Sequence, residues 1–219
     1  MFLKRKFLYF IAGVSTLLFA CSILGGGYEM TFSSTDDWVL EGGAGFTGYV
    51  EDGSFKFIVD DSESIFWTYA GETFNEEDTV AAGTYEVQVT QTAGPEDPAY
   101  GLILGVNSIG TAFYLFEVST DGFYSISSCS SSCDEFESLT GDNLWIESTD
   151  VQQGLNVTHN LKVVITESGD VTFSDNGVQL YTFNDPNMTG DDIGMVVETF
   201  DGANVTVSFD NLKYTPPEN

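Results

Sequence analysis

Positive charge is nearly missing from this sequence. Of 219 residues only six are Lys or Arg, against 34 Asp or Glu, for a formal net charge of −28 at pH 7. Lys4, Arg5 and Lys6 crowd the N-terminus, so Lys56, Lys162 and Lys213 are the only basic side chains after them. A chain this acidic repels phosphate backbones, which argues strongly against nucleic acid as a partner. Histidine occurs once, as His159, and cysteine three times. Zinc asks for about four nitrogen or sulfur ligands, so these residues make a poor zinc site. A Ser-His-acid triad would depend on His159, whose place beside Asn160 and just ahead of an apolar run reads as a surface loop. Sustained helical periodicity is absent beyond residue 28.

What the chain does contain is enough apolar surface for one sizeable core: 42% of residues are hydrophobic and 14% aromatic. These residues fall in short β-branched and aromatic runs separated by Gly, Asn, Asp and Ser, an all-β pattern. Strands are predicted over 38–40, 54–59, 65–69, 83–92, 100–106, 112–119, 123–127, 161–166, 171–174, 178–183, 194–199 and 204–214. Period-two alternation puts Tyr85, Val87 and Val89 on one face of their strand and Glu86, Gln88 and Thr90 on the other. Asp121-Gly122 and Asn176-Gly177 each lie between apolar runs and supply the positive φ that tight hairpins need. A dozen strands in one domain of this size suit two packed antiparallel sheets.

The N-terminus carries an address. A basic start, an apolar run from Phe7 to Phe19 and then Ala20 and Cys21 form a secretion signal. The run is shorter than the roughly 20 residues a membrane-spanning helix requires. Leu18-Phe19-Ala20-Cys21 resembles a bacterial lipoprotein box, which implies removal of residues 1–20 and lipid on Cys21. Residues 21–27 then form a lipidated Cys and a Gly-rich tether, and 28–219 a single domain held at the cell envelope. At about 0.8 kcal/mol per buried methylene, two or three acyl chains hold a soluble domain durably. The alternative is an ordinary cleaved signal and a secreted protein.

Several segments, taken in order, resemble the 3-keto-disaccharide hydrolase domain family, a concanavalin A-like, LamG-like jelly roll. They are Asp36-Asp37-Trp38, Tyr85-Glu86-Val87-Gln88-Val89-Thr90, Tyr100-Gly101-Leu102-Ile103, Phe113-Tyr114-Leu115-Phe116-Glu117-Val118 and Asp121-Gly122-Phe123-Tyr124. Asn160-Leu161-Lys162-Val163, Asp175-Asn176-Gly177, Ile193-Gly194 and Phe209-Asp210-Asn211-Leu212 complete the set. The resemblance implies a jelly-roll sandwich of two antiparallel sheets. It transfers architecture more readily than chemistry, because one fold hosts many activities.

The candidate functional residues follow from the chemistry a sugar-facing sandwich would need. Aromatic rings cover apolar sugar faces, and Trp145, Trp67, Tyr69, Tyr100 and Phe113 are available, with Trp145 foremost. Glycosidic cleavage requires two carboxyl groups across the substrate, one with a raised pKa. Glu117, on the strand face opposite Tyr114 and Phe116, is the candidate, with Glu86 and Glu198 comparable. Calcium would be held by Asp210 and Asn211, joined by Asp36 or Asp37; the competing reading is local Asx bonding at a strand bend. Cys129 and Cys133 bracket three serines, and an exported chain would close them into a small disulfide loop or leave two free thiols. The expected function is noncatalytic carbohydrate binding or recognition at the bacterial surface. Its rivals are a glycoside hydrolase of the resembled type and a structural or adhesive surface protein.

Overall fold

A computed structural model describes residues 27–30, 32, 38–41, 45–70, 80–107, 110–130, 133, 135–141, 143–190 and 192–217. These contain no α-helix. The strands are β1 (Tyr28–Met30), β2 (Trp38–Glu41), β3 (Phe46–Glu51), β4 (Ser54–Val59), β5 (Ser64–Ala70), β6 (Gly83–Ala93), β7 (Ala99–Val106) and β8 (Phe113–Ser119). They continue as β9 (Phe123–Cys129), β10 (Phe136–Ser138), β11 (Ile146–Glu147), β12 (Thr158–Ile165), β13 (Asp170–Asp175), β14 (Val178–Asn184), β15 (Asp192–Thr199) and β16 (Val205–Thr215).

Two antiparallel sheets result. Sheet A runs β14-β13-β12-β6-β16-β4-β3, with β1 added to β16; sheet B runs β10-β9-β8-β7-β15-β5-β2, with β11 added to β9. Chain neighbours are often not sheet neighbours: β6 lies between β12 and β16, and β7 between β8 and β15. This interleaving is the jelly-roll form of an all-β sandwich. Each of the twelve expected strands is present within a few residues of its expected bounds, and both predicted hairpin turns occur, with φ of 97° at Gly122 and 49° at Asn176.

Period-two alternation builds the core. Tyr85, Val87 and Val89 of β6, Leu161, Val163 and Ile165 of β12, and Val205, Val207 and Phe209 of β16 line the inner side of sheet A. Tyr100, Leu102 and Leu104 of β7, Phe116 and Val118 of β8, and Met195 and Val197 of β15 face them from sheet B. Aromatic rings fill one end of this space, with Phe57 edge-on to Phe209 at 5.6 Å and Phe55 beside Trp38 at 5.7 Å.

The outer faces differ. Sheet A presents Glu86, Gln88, Asn160, Lys162, Ser208 and Lys213, a solvated polar surface. Sheet B does not: every residue of β7 is buried, so the outer face of that central strand is covered as well as the inner. Tyr69, Ile103, Val106, Phe113, Leu115 and Val196 form a second apolar cluster there with the two cysteines.

His159 corrects the sequence reading. β12 begins at Thr158, which places His159 in step with Leu161, Val163 and Ile165 and points it inward. It is fully buried, and its Nδ1 lies 2.6 Å from Asp175 Oδ2, also fully buried, with the Tyr100 ring 5.9 Å away. The imidazole–carboxylate pair is sealed between the two sheets, out of reach of any substrate, with His159 Nε2 and Asp175 Oδ1 buried and without hydrogen-bond partners.

Candidate functional site

The outer face of sheet B is organised along its strands. At one end the second apolar cluster is roofed by two loops. Trp67 Nε1 donates to Gly110 O at 3.2 Å, and the Trp67 ring meets Phe113 at 5.3 Å. Cys129 and Cys133 are joined by a disulfide whose sulfurs lie 4.0 and 3.9 Å from Thr111 O. The disulfide thus ties the end of β9 against the β7–β8 loop.

Toward the other end the same face turns polar. Glu117 of β8 is opposite Gly101 of β7 and Ser125 of β9, and Gly101 is opposite Val196 of β15, two residues before Glu198. Glu117 and Glu198 therefore project from the same face on strands separated only by β7. Position 101 has to be glycine, because a Cβ there would lie 2.0 Å from Phe116 O.

Glu198 opens into a cavity of about 390 Å³, lined also by Glu63, Ile65, Phe136, Phe200 and Asp201. Phe136 comes from β10 and Ile65 from β5, on opposite sides of the strip formed by β9, β8, β7 and β15. Trp145 precedes β11, which pairs with β9, and its ring meets Phe200, just past β15, edge-on at 5.6 Å and 88°.

Burial sets the electrostatics. Glu117 is 1% exposed and its Oε1 has no hydrogen-bond partner; removal from water pushes its pKa well above the usual carboxylate range, and the Glu198 charge adds to this. Burial likewise pushes Glu198 up to about 7. No cation among the described residues offsets these acids. Lys56, Lys162 and Lys213 all lie on sheet A, where Lys56 pairs with Glu51, and Lys162 and Lys213 bond Glu86 at 3.5 and 2.9 Å.

The expected site residues are thus sorted by position. Trp67, Tyr69 and Phe113 belong to the roofed apolar cluster, Phe113 at 2% exposure. Tyr100 is fully buried between the sheets, where no sugar reaches it, because odd and even positions of β7 face opposite ways. Trp145 stands at the cavity margin through its contact with Phe200. Glu86 is engaged by two lysines on the far sheet. Asp210 Oδ1 accepts the Asn211 N–H at 2.8 Å, and Asn211 Nδ2 donates to Gln88 Oε1 at 2.9 Å, at a bulge where Asn211 has φ 52°. Among the described residues no group of three or more His, Cys, Asp or Glu is placed to hold a metal, and Asp36 and Asp37 lie outside them, as does Cys21. Phe136, Phe200, Glu63 and Asp201 were not anticipated. Phe136 stands in a polar stretch after the cysteines, and Phe200 in a Thr-Phe-Asp-Gly turn, so neither lies in a strand pattern that would mark its direction.

No family model matches the sequence, and no curated protein matches it. Solved structures share its fold. The carbohydrate-binding module CBM66 from Bacillus subtilis superposes with a TM-score of 0.60 at 14% identity, covering 82% of this chain and 96% of its own. A Bacillus licheniformis β-glucanase does so with 0.53 at 11%, covering 88% and 99%. The exoplasmic/lumenal domain of VIP36, in a form bound to Ca2+ and Man3GlcNAc, gives 0.54 at 10%, covering 87% and 88%. The fold is that of the jelly-roll sandwiches.

Proposed function

We propose that this protein is a carbohydrate-recognition domain whose ligand lies across the outer face of sheet B. The observation that carries this reading is the cavity itself. It sets two phenyl rings, Phe136 and Phe200, beside carboxylates and the Ser64 and Thr199 residues, the mixture of flat apolar surface and hydrogen-bonding groups that a sugar ring requires. It lies where β5 begins and β15 ends, with Phe136 of the edge strand β10 at its rim. The fold supports the same reading, since proteins described as carbohydrate-binding, sugar-bound or glucan-cleaving share it.

Glycoside hydrolysis of the 3-keto-disaccharide type is the second reading, and the Glu117–Glu198 pair is the observation in its favour. Access weighs against it. A general acid has to touch the glycosidic oxygen, and Glu117 at 1% exposure is sealed beneath the face, leaving Glu198 as the one accessible member of the pair. We further propose that the domain is tethered to the bacterial cell envelope by lipid on Cys21; incorporation of labelled palmitate, abolished by Cys21→Ser, tests that anchor.

Binding of the chain to a broad glycan array tests the recognition reading. Specific retention of one glycan class, weakened by Phe136→Ala and unaccompanied by release of shorter sugars, is expected. Release of sugars that stops in Glu198→Gln would move the assignment to the hydrolase. Retention of no glycan, with capture of proteins instead, would move it to an adhesive role.

A further inference from the structure

Gln91 extends the inward series Tyr85, Val87 and Val89 of β6, so a carboxamide enters the core in step with apolar side chains. It belongs to a buried polar group at one end of the sandwich: Gln91, His159 and Asp175 from sheet A, with Tyr100 of β7 and Thr120 of the β8–β9 turn from sheet B, none more than 1% exposed. Thr120 Oγ1 donates to Gln91 Oε1, and Gln91 Nε2 donates to Pro95 O at 2.5 Å and Ala93 O at 3.3 Å. The carboxamide is thus fixed, with a hydroxyl against its carbonyl and its nitrogen turned toward a turn whose Thr92 and Ala93 are exposed.

The other three side chains are chemically more capable than that contact requires. Asp175 Oδ2 accepts the His159 Nδ1 proton at 2.6 Å, which makes His159 Nε2 a proton acceptor, and Nε2 has no partner. The Tyr100 ring lies 5.9 Å from the imidazole. Its hydroxyl is buried without a well-directed hydrogen bond, and both the Thr120 hydroxyl and the Asp175 carboxylate are near enough to act on it. Burial without a partner costs free energy at Tyr100 OH, His159 Nε2 and Asp175 Oδ1 alike. Hydroxyl, phenol, imidazole and carboxylate in that order are the parts that activate an alcohol for attack on an acyl carbon.

We propose that Thr120 and Gln91 join covalently, as a side-chain ester that forms within the folded chain and staples sheet A to sheet B. Thr120 Oγ1 attacks Gln91 Cδ, and the hydroxyl proton passes by way of the Tyr100 hydroxyl to His159 Nε2, with Asp175 holding the imidazole. The new C–O bond replaces the Gln91 C–N bond, whose nitrogen takes up the proton and leaves as ammonia. Nothing is oxidised or reduced, and no co-reactant is consumed. Fixed placement of the two groups supplies what an amide, a poor acyl donor, lacks in solution, and exclusion of water protects the ester from hydrolysis. Thr120 is the nucleophile, Tyr100 carries its proton, and His159 and Asp175 are positioning residues behind Tyr100.

The test is peptide mapping of the denatured chain by mass spectrometry. Cleavage after Glu places Gln91 in residues 87–96 and Thr120 in residues 118–135. The expected result is a single species with the summed mass of these two peptides less one ammonia, which hydroxylamine separates. The link should persist in Thr120→Ser, which keeps the hydroxyl, and be lost in Thr120→Val and Gln91→Leu. Two separate peptides of full mass from the parent would overturn the ester, and so would a link that survives Thr120→Val. The proton relay is read from the linked fraction against time after refolding: Tyr100→Phe, which retains the ring, and His159→Gln should each slow linkage by about tenfold or more. Linkage at the parental rate in Tyr100→Phe would overturn the relay. The parent peptides alone decide whether the ester exists, so a variant that fails to fold does not alter that result.

Discussion

Glu117 and Glu198 are acids placed where water is scarce, and that governs how they respond to pH. Both hold a proton more tightly in the folded chain than an ordinary Glu does, because burial penalises the charged form. The folded state therefore binds more protons than the unfolded state between the ordinary Glu range and about pH 7, and stability falls as pH rises through that window. Urea unfolding should show Glu117→Gln more stable than the parent by at least about 1 kcal/mol at pH 8, with the difference shrinking toward pH 5. A difference that stays constant across that range would mean that Glu117 is not the titrating group. Phe136 is the matching test for the ligand: truncation to Ala should weaken glycan binding about tenfold, near 1.4 kcal/mol, in a calorimetric titration. At this scale the sequence was only partly readable. Glu117 was legible because it breaks the aromatic pattern of its strand, Phe113-Tyr114-Leu115-Phe116-Glu117-Val118. Phe136 and Phe200 were not, since their direction depends on how loops fold over a sheet and not on any local period.

Elements with strong alternation were predictable, whereas of the four edge strands β2 and β14 were anticipated and β3 and β10 were not. The twelve strands expected from period two are all present, and their inward residues form the core. The four unpredicted strands, β1, β3, β10 and β11, are short or peripheral: β3 and β10 close their sheets, and β1 and β11 attach to one strand each. Phe46 to Glu51 in β3 is interrupted by Gly48 and has no buried residue, Thr47 and Glu51 being exposed and the rest half-buried, so it carries no clear alternation. His159 was misread because the start of β12 was placed after it; extended by one more period, the alternation would have turned it inward. The segments resembling the 3-keto-disaccharide hydrolase family fall largely on β6, β7, β8, β12, β15 and β16, so their order and spacing report the sandwich itself. Gly101→Ala forces a Cβ to within 2.0 Å of the Phe116 carbonyl and should cost more than about 3 kcal/mol or prevent folding, read by thermal unfolding. Replacing Cys129 and Cys133 by Ser opens a loop with a sequence separation of only 4, so the loss should be modest, about 2 kcal/mol, with faster hydrogen exchange confined to the β7–β8 loop and the end of β9.

Across the whole molecule the charge distribution is lopsided as well as large. A formal net charge of −28 is carried by a sandwich whose three described lysines share one sheet. Self-repulsion of this size opposes compaction, and salt relieves it by shortening the Debye length to about 3 Å at 1 M. Thermal unfolding should therefore shift upward substantially between low and molar NaCl, and a flat response would show that the acidic groups are too far apart to matter. The same asymmetry gives the two faces of the sandwich different roles: sheet A is an ordinary solvated surface, and sheet B holds the apolar roof and the acidic cavity. The most direct test of the account is hydrogen exchange of the chain with and without a saturating glycan from the array. Slowed exchange at residues 63–65, 136 and 198–201, with residues 86–88 and 211–213 unchanged, is the predicted outcome. Protection confined to the outer face of sheet A, or to neither sheet, would contradict the placement of the site.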